Sequence, residues 1–389
     1  MGGKDAGGEE PGYSVATMLR TILSRPRLDS GGLSALEATW RGFAAAARPS
    51  FFQDWTWVGC LAAERFPDPV LLEVCDGDRP LALALFNRRT SLLRGDALYL
   101  HESDDPVLNS IFTEHNGPLI RADCAAEREA VLGRLLHDAM HAPVGGARTR
   151  PRRLVLSGVG PECVRAAEQT GGFISEQVAR IAPYVDFATV PPDLPFINGL
   201  SRNARHQLRR SNRVYEASGT LELHRAETVE TALDYLGKLI VLHDITWEGR
   251  GKPGAFATPA VRRFHHALIT RGVPKGEVDL LRITAGPTLV GYLMNFNYAG
   301  QVSAYQSGFN YAAAGPHQKP GLTCHYLAIE AYRAAGAAVY DFLAGADRYK
   351  LSLANAQRWL HWLSVAPNWH PQAMAGRMRT VLSRPFASA

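Results

Sequence analysis

What most constrains this chain is an order of elements that occurs twice. A proline-rich stretch at 189–197, containing Val-Pro-Pro-Asp-Leu-Pro, divides it in two. Such punctuation marks a domain boundary. Before it, helical periodicity runs over 33–47 and 53–65. Apolar runs at 70–75 and 81–87 then flank Asp76-Gly77, a hairpin signal. A strand at 97–100, a helix at 125–141, a strand at 154–156, a helix at 161–170 and an extended stretch at 173–187 complete this half. After the boundary come a basic helix at 201–213, a strand at 220–224 and helices at 228–247 and 259–271. Strands at 277–284, 288–296 and 301–309 form a meander, followed by a helix at 322–335, a strand at 339–343, a helical turn at 347–354 and a strand at 360–365. The second half therefore repeats the first, as a duplicated domain and not a short-period repeat.

Length agrees with that reading, since 389 residues exceed one compact core and suit two. The expected division is a flexible segment at 1–30, a first domain at 31–190, a second at 198–370 and a tail at 371–389. Cys60, Cys75, Cys124, Cys163 and Cys324 are odd in number and never in C-x-x-C spacing, so they suggest neither a disulfide framework nor a zinc site. The polar, glycine-rich start has no secretory h-region, and no apolar run reaches about 18 residues. A cytoplasmic, metal-free protein is expected. Its +5 charge leans towards anionic ligands without approaching a dedicated nucleic-acid binder. His265 and His266 point to different faces of a helix, and no G-x-S-x-G elbow occurs.

The chemistry concentrates after the third strand of the second half. Gln318-Lys319-Pro320-Gly321-Leu322-Thr323 opens a helix there, and a glycine-bearing turn at a helix N-terminus lets backbone amides approach phosphate. Pro320 removes one of those donors. The run Lys319–Ile329, then Gly336, Tyr340–Gly345 and Tyr349-Lys350, together with Tyr305–Phe309, the basic helix SRNARHQLRRSNR, Leu242-His243 with Trp247, and Glu114–Leu119, resembles the GNAT-type proteins known as CelD/BcsL-like acetyltransferases, in the FemAB-like group of tandem GNAT folds. The resemblance covers roughly 33–370.

It implies an α/β fold of α+β type with a mixed sheet, in two tandem GNAT-like acyl-CoA N-acyltransferase domains. The implied activity is N- or O-acyl transfer, acetyl from acetyl-CoA above all, to a small-molecule or glycan acceptor. On the family pattern, Ser307, Gly308, Phe309, Gln318, Lys319, Gly321, Leu322 and Thr323 hold the donor, with Gly308 suited to a bulge. Tyr349 protonates the departing thiolate or anchors its short helix. Asp341, His325, His243 and Glu248 are the base candidates; Asp341 also reads as half of a buried salt bridge with Lys350, and His325 as a packing residue. His243, Trp247, Tyr305 and Lys350 line the acceptor side. The arginines at 202, 205, 209, 210 and 213 form either a solvated face or a phosphate-binding one. No Gln/Arg-x-x-Gly loop precedes the first half's helix, so that copy is expected to have lost CoA binding and to shape the interface or the acceptor site. The competing readings are an aminoacyl-tRNA-dependent aminoacyltransferase and a non-catalytic subunit of exopolysaccharide synthesis.

Overall fold

The computed structural model describes residues 19–91, 95–103, 105, 108–142, 151 and 153–367. The first dozen residues, the tail at 371–389 and most of the basic glycine-rich loop at 145–153 lie outside them. The first half comprises β1 (Leu19–Ser24), α1 (Ser30–Ala47), α2 (Trp55–Arg65), β2 (Pro69–Asp76), β3 (Arg79–Ser91), β4 (Gly95–Leu100), the two-residue β5 (Leu119–Ile120), α3 (Arg128–His141), β6 (Arg153–Val159), α4 (Pro161–Gln169) and β7 (Phe173–Asp186). The second comprises α5 (Arg202–Glu216), β8 (Leu221–Arg225), α6 (Val229–Glu248), α7 (Pro259–Gly272), β9 (Val278–Ala285), β10 (Thr288–Tyr298), β11 (Gln301–Phe309), α8 (Pro320–Ala334), β12 (Val339–Asp341), α9 (Arg348–Leu353) and β13 (Ala356–Ala366).

The helix starts obey local chemistry. The Asp29, Asp54, Thr228 and Thr258 side chains accept from early amides of α1, α2, α6 and α7, and Pro259 occupies the first position of α7. One element falls where a flexible segment was expected: β1 lies within 1–30. Its alternation of half-buried and exposed residues is the period of a one-sided strand, and it pairs along β2 from Leu19–Asp76 to Ser24–Leu71.

All strands join one mixed sheet, ordered β1-β2-β3-β4-β6-β13-β7-β12-β11-β10-β9-β8, with β5 on β3. The order exposes an exchange. β13, the last described strand, sits between β6 and β7, while β7, the last described strand of the first half, lies between β13 and β12. Each half thus completes the other's sheet. Each half also contains one parallel pair, β4 with β6 and β11 with β12.

Helices cover both faces. On one, α1 and α2 meet α6 and α7 in a core shared by the halves, where Phe51 stacks on Phe296 at 4.2 Å and Trp57 meets Phe264 edge-on at 5.1 Å. On the other, α3 and α4 cover the first half, and α5, α8 and α9 cover the second. No described helix is long and apolar enough to cross a membrane.

Candidate active site

The site begins where two parallel strands part. β12 stays with β11 for three residues, ending at Ser303 opposite Asp341. Immediately beyond, Met294 faces Gln306 and Asn295 faces Ala304, which leaves Tyr305 as an extra residue on β11. Such a bulge bends its strand. Gln306–Phe309 then follows β10 alone, with no strand paired to its other edge among the described residues. The sequence suggested Gly308 for the bulge. The structure puts it at Tyr305, and gives Gly308 a different duty. A Cβ at 308 would lie 2.4 Å from the Leu239 carbonyl oxygen, so only glycine lets α6 cross β11 this closely.

The loop from Gly315 leads to the N-terminus of α8. The Gln318 side chain accepts from the Gly315 amide, and the Lys319 amide donates to Ser211 Oγ at 2.8 Å, pinning the loop to α5. The first α8 amide to donate within its own chain turn is Thr323, to the Lys319 carbonyl. Among the described residues the Gly321 and Leu322 amides have no acceptor, and they lie beside the exposed Lys319 ammonium. Phe309 packs over Gly321, where a Cβ would come within 3.2 Å of its ring. Thr323 was expected to offer a hydroxyl to phosphate. It is instead fully buried, bonded at 2.9 Å to both Ser211 Oγ and Asn212 Oδ1.

At the base of the opening, charged groups from both halves converge. Asp341 is buried at the end of β12 and accepts from the Leu343 amide at 2.7 Å. Its Oδ2 lies 3.1 Å from His115 Nε2 and 3.4 Å from the Arg358 guanidinium. His115 Nε2 is itself buried, so the contact is shielded from water. Burial opposes the Asp341 charge, but His115, Arg358 and the Leu343 amide outweigh it and hold the carboxyl below its usual range. Lys350 does not pair with Asp341. Its Nζ donates to the Ala344 carbonyl at 2.9 Å and the Leu343 carbonyl at 3.4 Å, and burial lowers its pKa. Glu114, from the first half, accepts from the Ala344 amide at 2.6 Å, and burial raises its carboxyl.

Backbone strain gathers here as well. His101, His115 and Leu343 all have positive φ, at 56°, 48° and 61°. Leucine rarely adopts it, histidine more readily, and a conformation of this kind is kept where surroundings over-determine it. The surroundings of His115 do so. Ser50 Oγ donates to its carbonyl at 2.8 Å, and Gln53 Nε2 donates to the Gly117 and Pro118 carbonyls.

The remaining expected residues separate into two groups. Tyr349 is half-buried beside the cluster, stacked on His325 with ring centroids 5.2 Å apart, and burial raises its phenol so that it holds its proton. Tyr305 is buried among Phe52, Trp57 and Phe296 at the bulge. His325 lies within the core, with Nδ1 2.9 Å from the Tyr340 hydroxyl, and burial pushes its pKa down to about 3. His243 donates from Nδ1 to the Ser307 carbonyl at 3.1 Å and accepts at Nε2 from the Ala255 amide at 3.0 Å, which fixes its tautomer and clamps α6 to β11. Trp247 packs near His243 and under Arg250, and Glu248 is exposed at the end of α6. The cluster includes none of these last four.

Residues 202–351 match the family model of the acetyltransferase (GNAT) domain. That span carries the basic helix, the bulged β11, the α8 loop, Asp341 and Lys350, so the second half is a GNAT acyltransferase domain. The crystal structure of FemX shares the fold with a TM-score of 0.57 at 10% identity, over 84% of this chain and 95% of that one. The structure of L-PGS from Bacillus licheniformis has a TM-score of 0.50 at 12% identity, over 92% and 98%. The C-terminal domain of a putative lysylphosphatidylglycerol synthetase from Agrobacterium fabrum gives 0.50 at 12%, over 90% and 97%. These likenesses concern the fold, two GNAT-like halves in tandem. A search of curated proteins found no match.

Three members of the cluster, Glu114, His115 and Arg358, escaped sequence reasoning as site residues. Glu114-His115-Asn116-Gly117 did carry a signal: it is a charged and amide-bearing run ahead of the apolar Leu119-Ile120. Arg358 carried none, because its neighbour Asp341 comes to it only through the strand exchange. Among the described residues, no group of His, Cys, Asp and Glu could hold a metal ion.

Proposed function

We propose that the protein transfers an acyl group, acetyl in the simplest case, from a CoA thioester to an amine or hydroxyl of a small-molecule or glycan acceptor. One observation carries this reading: the bulge at Tyr305 parts β11 from β12 just where the amides of Gly321 and Leu322 open the α8 N-terminus. A pyrophosphate needs such a helix end, and an extended thioester arm needs such a slot. Gly321, Leu322 and Lys319 hold the pyrophosphate, with Gln318 shaping their loop. The freed edge of Ser307–Phe309 faces the arm. Tyr349 donates the proton that the departing thiolate takes, and Lys350, with Asp341, sets the field at the carbonyl. Thr323, His325 and His243 act as supports. Assignment to the CelD/BcsL-like group, with a role in exopolysaccharide synthesis, rests on the sequence resemblance.

Calorimetric titration with acetyl-CoA and desulfo-CoA tests the reading. Saturable binding is expected, weakened about tenfold or more by Lys319→Glu, which reverses an exposed charge beside the phosphates. A folded wild-type protein that binds neither ligand would refute it.

A second reading draws on α5. Arg202, Arg209, Arg210 and Arg213 are exposed and form no ion pair among the described residues, and their phosphate-binding chemistry suits an aminoacyl-tRNA donor. Copurifying tRNA with salt-dependent affinity, in place of CoA binding, is the outcome that would favour it.

A further inference from the structure

An amine acceptor must lose a proton when it attacks, and the base candidates that the second half supplies are poorly placed to take it. His325 and His243 are neutral and engaged within the core, with Nδ1 of each bonded at 2.9 and 3.1 Å. Glu248 is exposed at the end of α6. Asp341 is tied to His115, Arg358 and the Leu343 amide, contacts that favour its ionised form and make it a weak base.

A buried carboxylate lies beside the end of β12, and it comes from the other half. We infer that Glu114, on the loop that the first half extends across to the end of β12, accepts the acceptor's proton. The inference rests on the acyl-transfer reading. Geometry supports it in three ways. Glu114 lies where the strands part, bonded at 2.6 Å to the Ala344 amide beyond β12 and in the field of Tyr305 on β11. Its loop is held rigidly by Ser50 and Gln53 and by Asn116, whose backbone amide donates to the Gly158 carbonyl at 2.9 Å. The loop also holds His115 in a left-handed conformation, which brings its ring to Asp341 at 3.1 Å.

The charged and titratable groups around Glu114 are His115 on its own loop, Asp341 on β12, Lys350 on α9 and Tyr305 on β11. Burial raises its carboxyl and lowers the Lys350 ammonium beside it. In the step, the acceptor nitrogen forms a bond to the thioester carbon and its proton passes to Glu114. The carbon–sulfur bond then breaks, and the thiolate leaves with the proton of Tyr349.

Glu114→Gln separates this role from support, because the amide oxygen can still accept from Ala344. With ethanolamine as acceptor probe and acetyl-CoA as donor, kcat is expected to fall about 10²–10⁴-fold. The acetyl-CoA Kd should stay unchanged, and the acidic limb of the wild-type pH–rate profile should disappear. Glu114→Asp, which keeps a carboxylate, should recover part of the rate. Wild-type turnover and an unaltered acidic limb in Glu114→Gln would overturn the inference while leaving the acyl-transfer reading intact. Loss of acetyl-CoA binding in the wild type would instead strike that reading itself.

Discussion

The two parallel strand pairs of this protein have the same ancestry of form and opposite fates. In the second half, β11 bulges at Tyr305 and leaves β12 after three paired residues. In the first half, β4 pairs with β3 without a break from Ser91–Gly95 to Phe86–Leu100, and the place beside β6 is filled by the chain itself. Asn116 bridges in parallel to Val159, and its Nδ2 donates to the Leu100 carbonyl at 3.1 Å and the Ser157 carbonyl at 2.9 Å. Its Oδ1 meets buried His101 at 2.7 Å. One loop therefore serves both places: Asn116 closes the first opening, and Glu114, two residues earlier, reaches the second. On the proposal above, the same loop is a plug at one end and supplies the base at the other.

The sharpest way to break this comparison is to pull the plug. Asn116→Ala strips partners from two buried carbonyls and His101, and urea denaturation should show a loss of about 2–4 kcal/mol. Donor affinity in the folded fraction should hold. If the variant gained a second CoA site, the first half would have kept a latent slot.

Gly308→Ala should have a smaller effect on stability, about 1–3 kcal/mol, because the new methyl must push the Leu239 backbone aside. It should also weaken acetyl-CoA binding, since α6 would lift from the freed strand. An unchanged Kd would mean that the crossing does not shape the opening.

The smallest effects concern pH, and the two carboxylates should move in opposite directions. Asp341 has a depressed pKa, so its contribution is present at neutral pH and fades as pH falls below about 4, towards its folded value. The deficit of Asp341→Asn should therefore shrink in acid. Glu114 has a raised pKa, so its ionisation weakens the fold as pH climbs above about 4. Glu114→Gln should equal the wild type in acid and match or exceed it at neutral pH. Parallel denaturation series at both pH values check the pair, and a shared sign would contradict the assigned environments.

Much of the fold was legible because it is local. Apolar periodicity located α6, β9, β10 and β11 closely, and Pro161 and Gly171 bounded α4. The α8 loop was legible for the same reason, as glycine, proline and lysine have fixed meanings at a helix start. What the sequence hid is non-local. The bulge at Tyr305 depends on register with β10, which no pattern within β11 records. Thr323 resembles a ligand hydroxyl until Ser211 and Asn212 arrive from α5. Asp341 was singled out as a charge in an apolar strand, but its partners are His115 and Arg358, distant in sequence, and not the neighbouring Lys350.

The exchange of β7 and β13 also bears on how the molecule is made. A nascent chain emerging from the ribosome reaches residue 190 with β6 lacking the neighbour that pairs with it from Leu154 to Val159, since that neighbour is β13. An unpaired strand edge invites association with another chain. The first half must therefore wait, with its edge exposed, until residues 356–366 have been synthesised. Folding of the first half is bound to the arrival of β13, and products truncated before it should be recovered as intermolecular swaps or aggregates, with no independent half-enzyme among them.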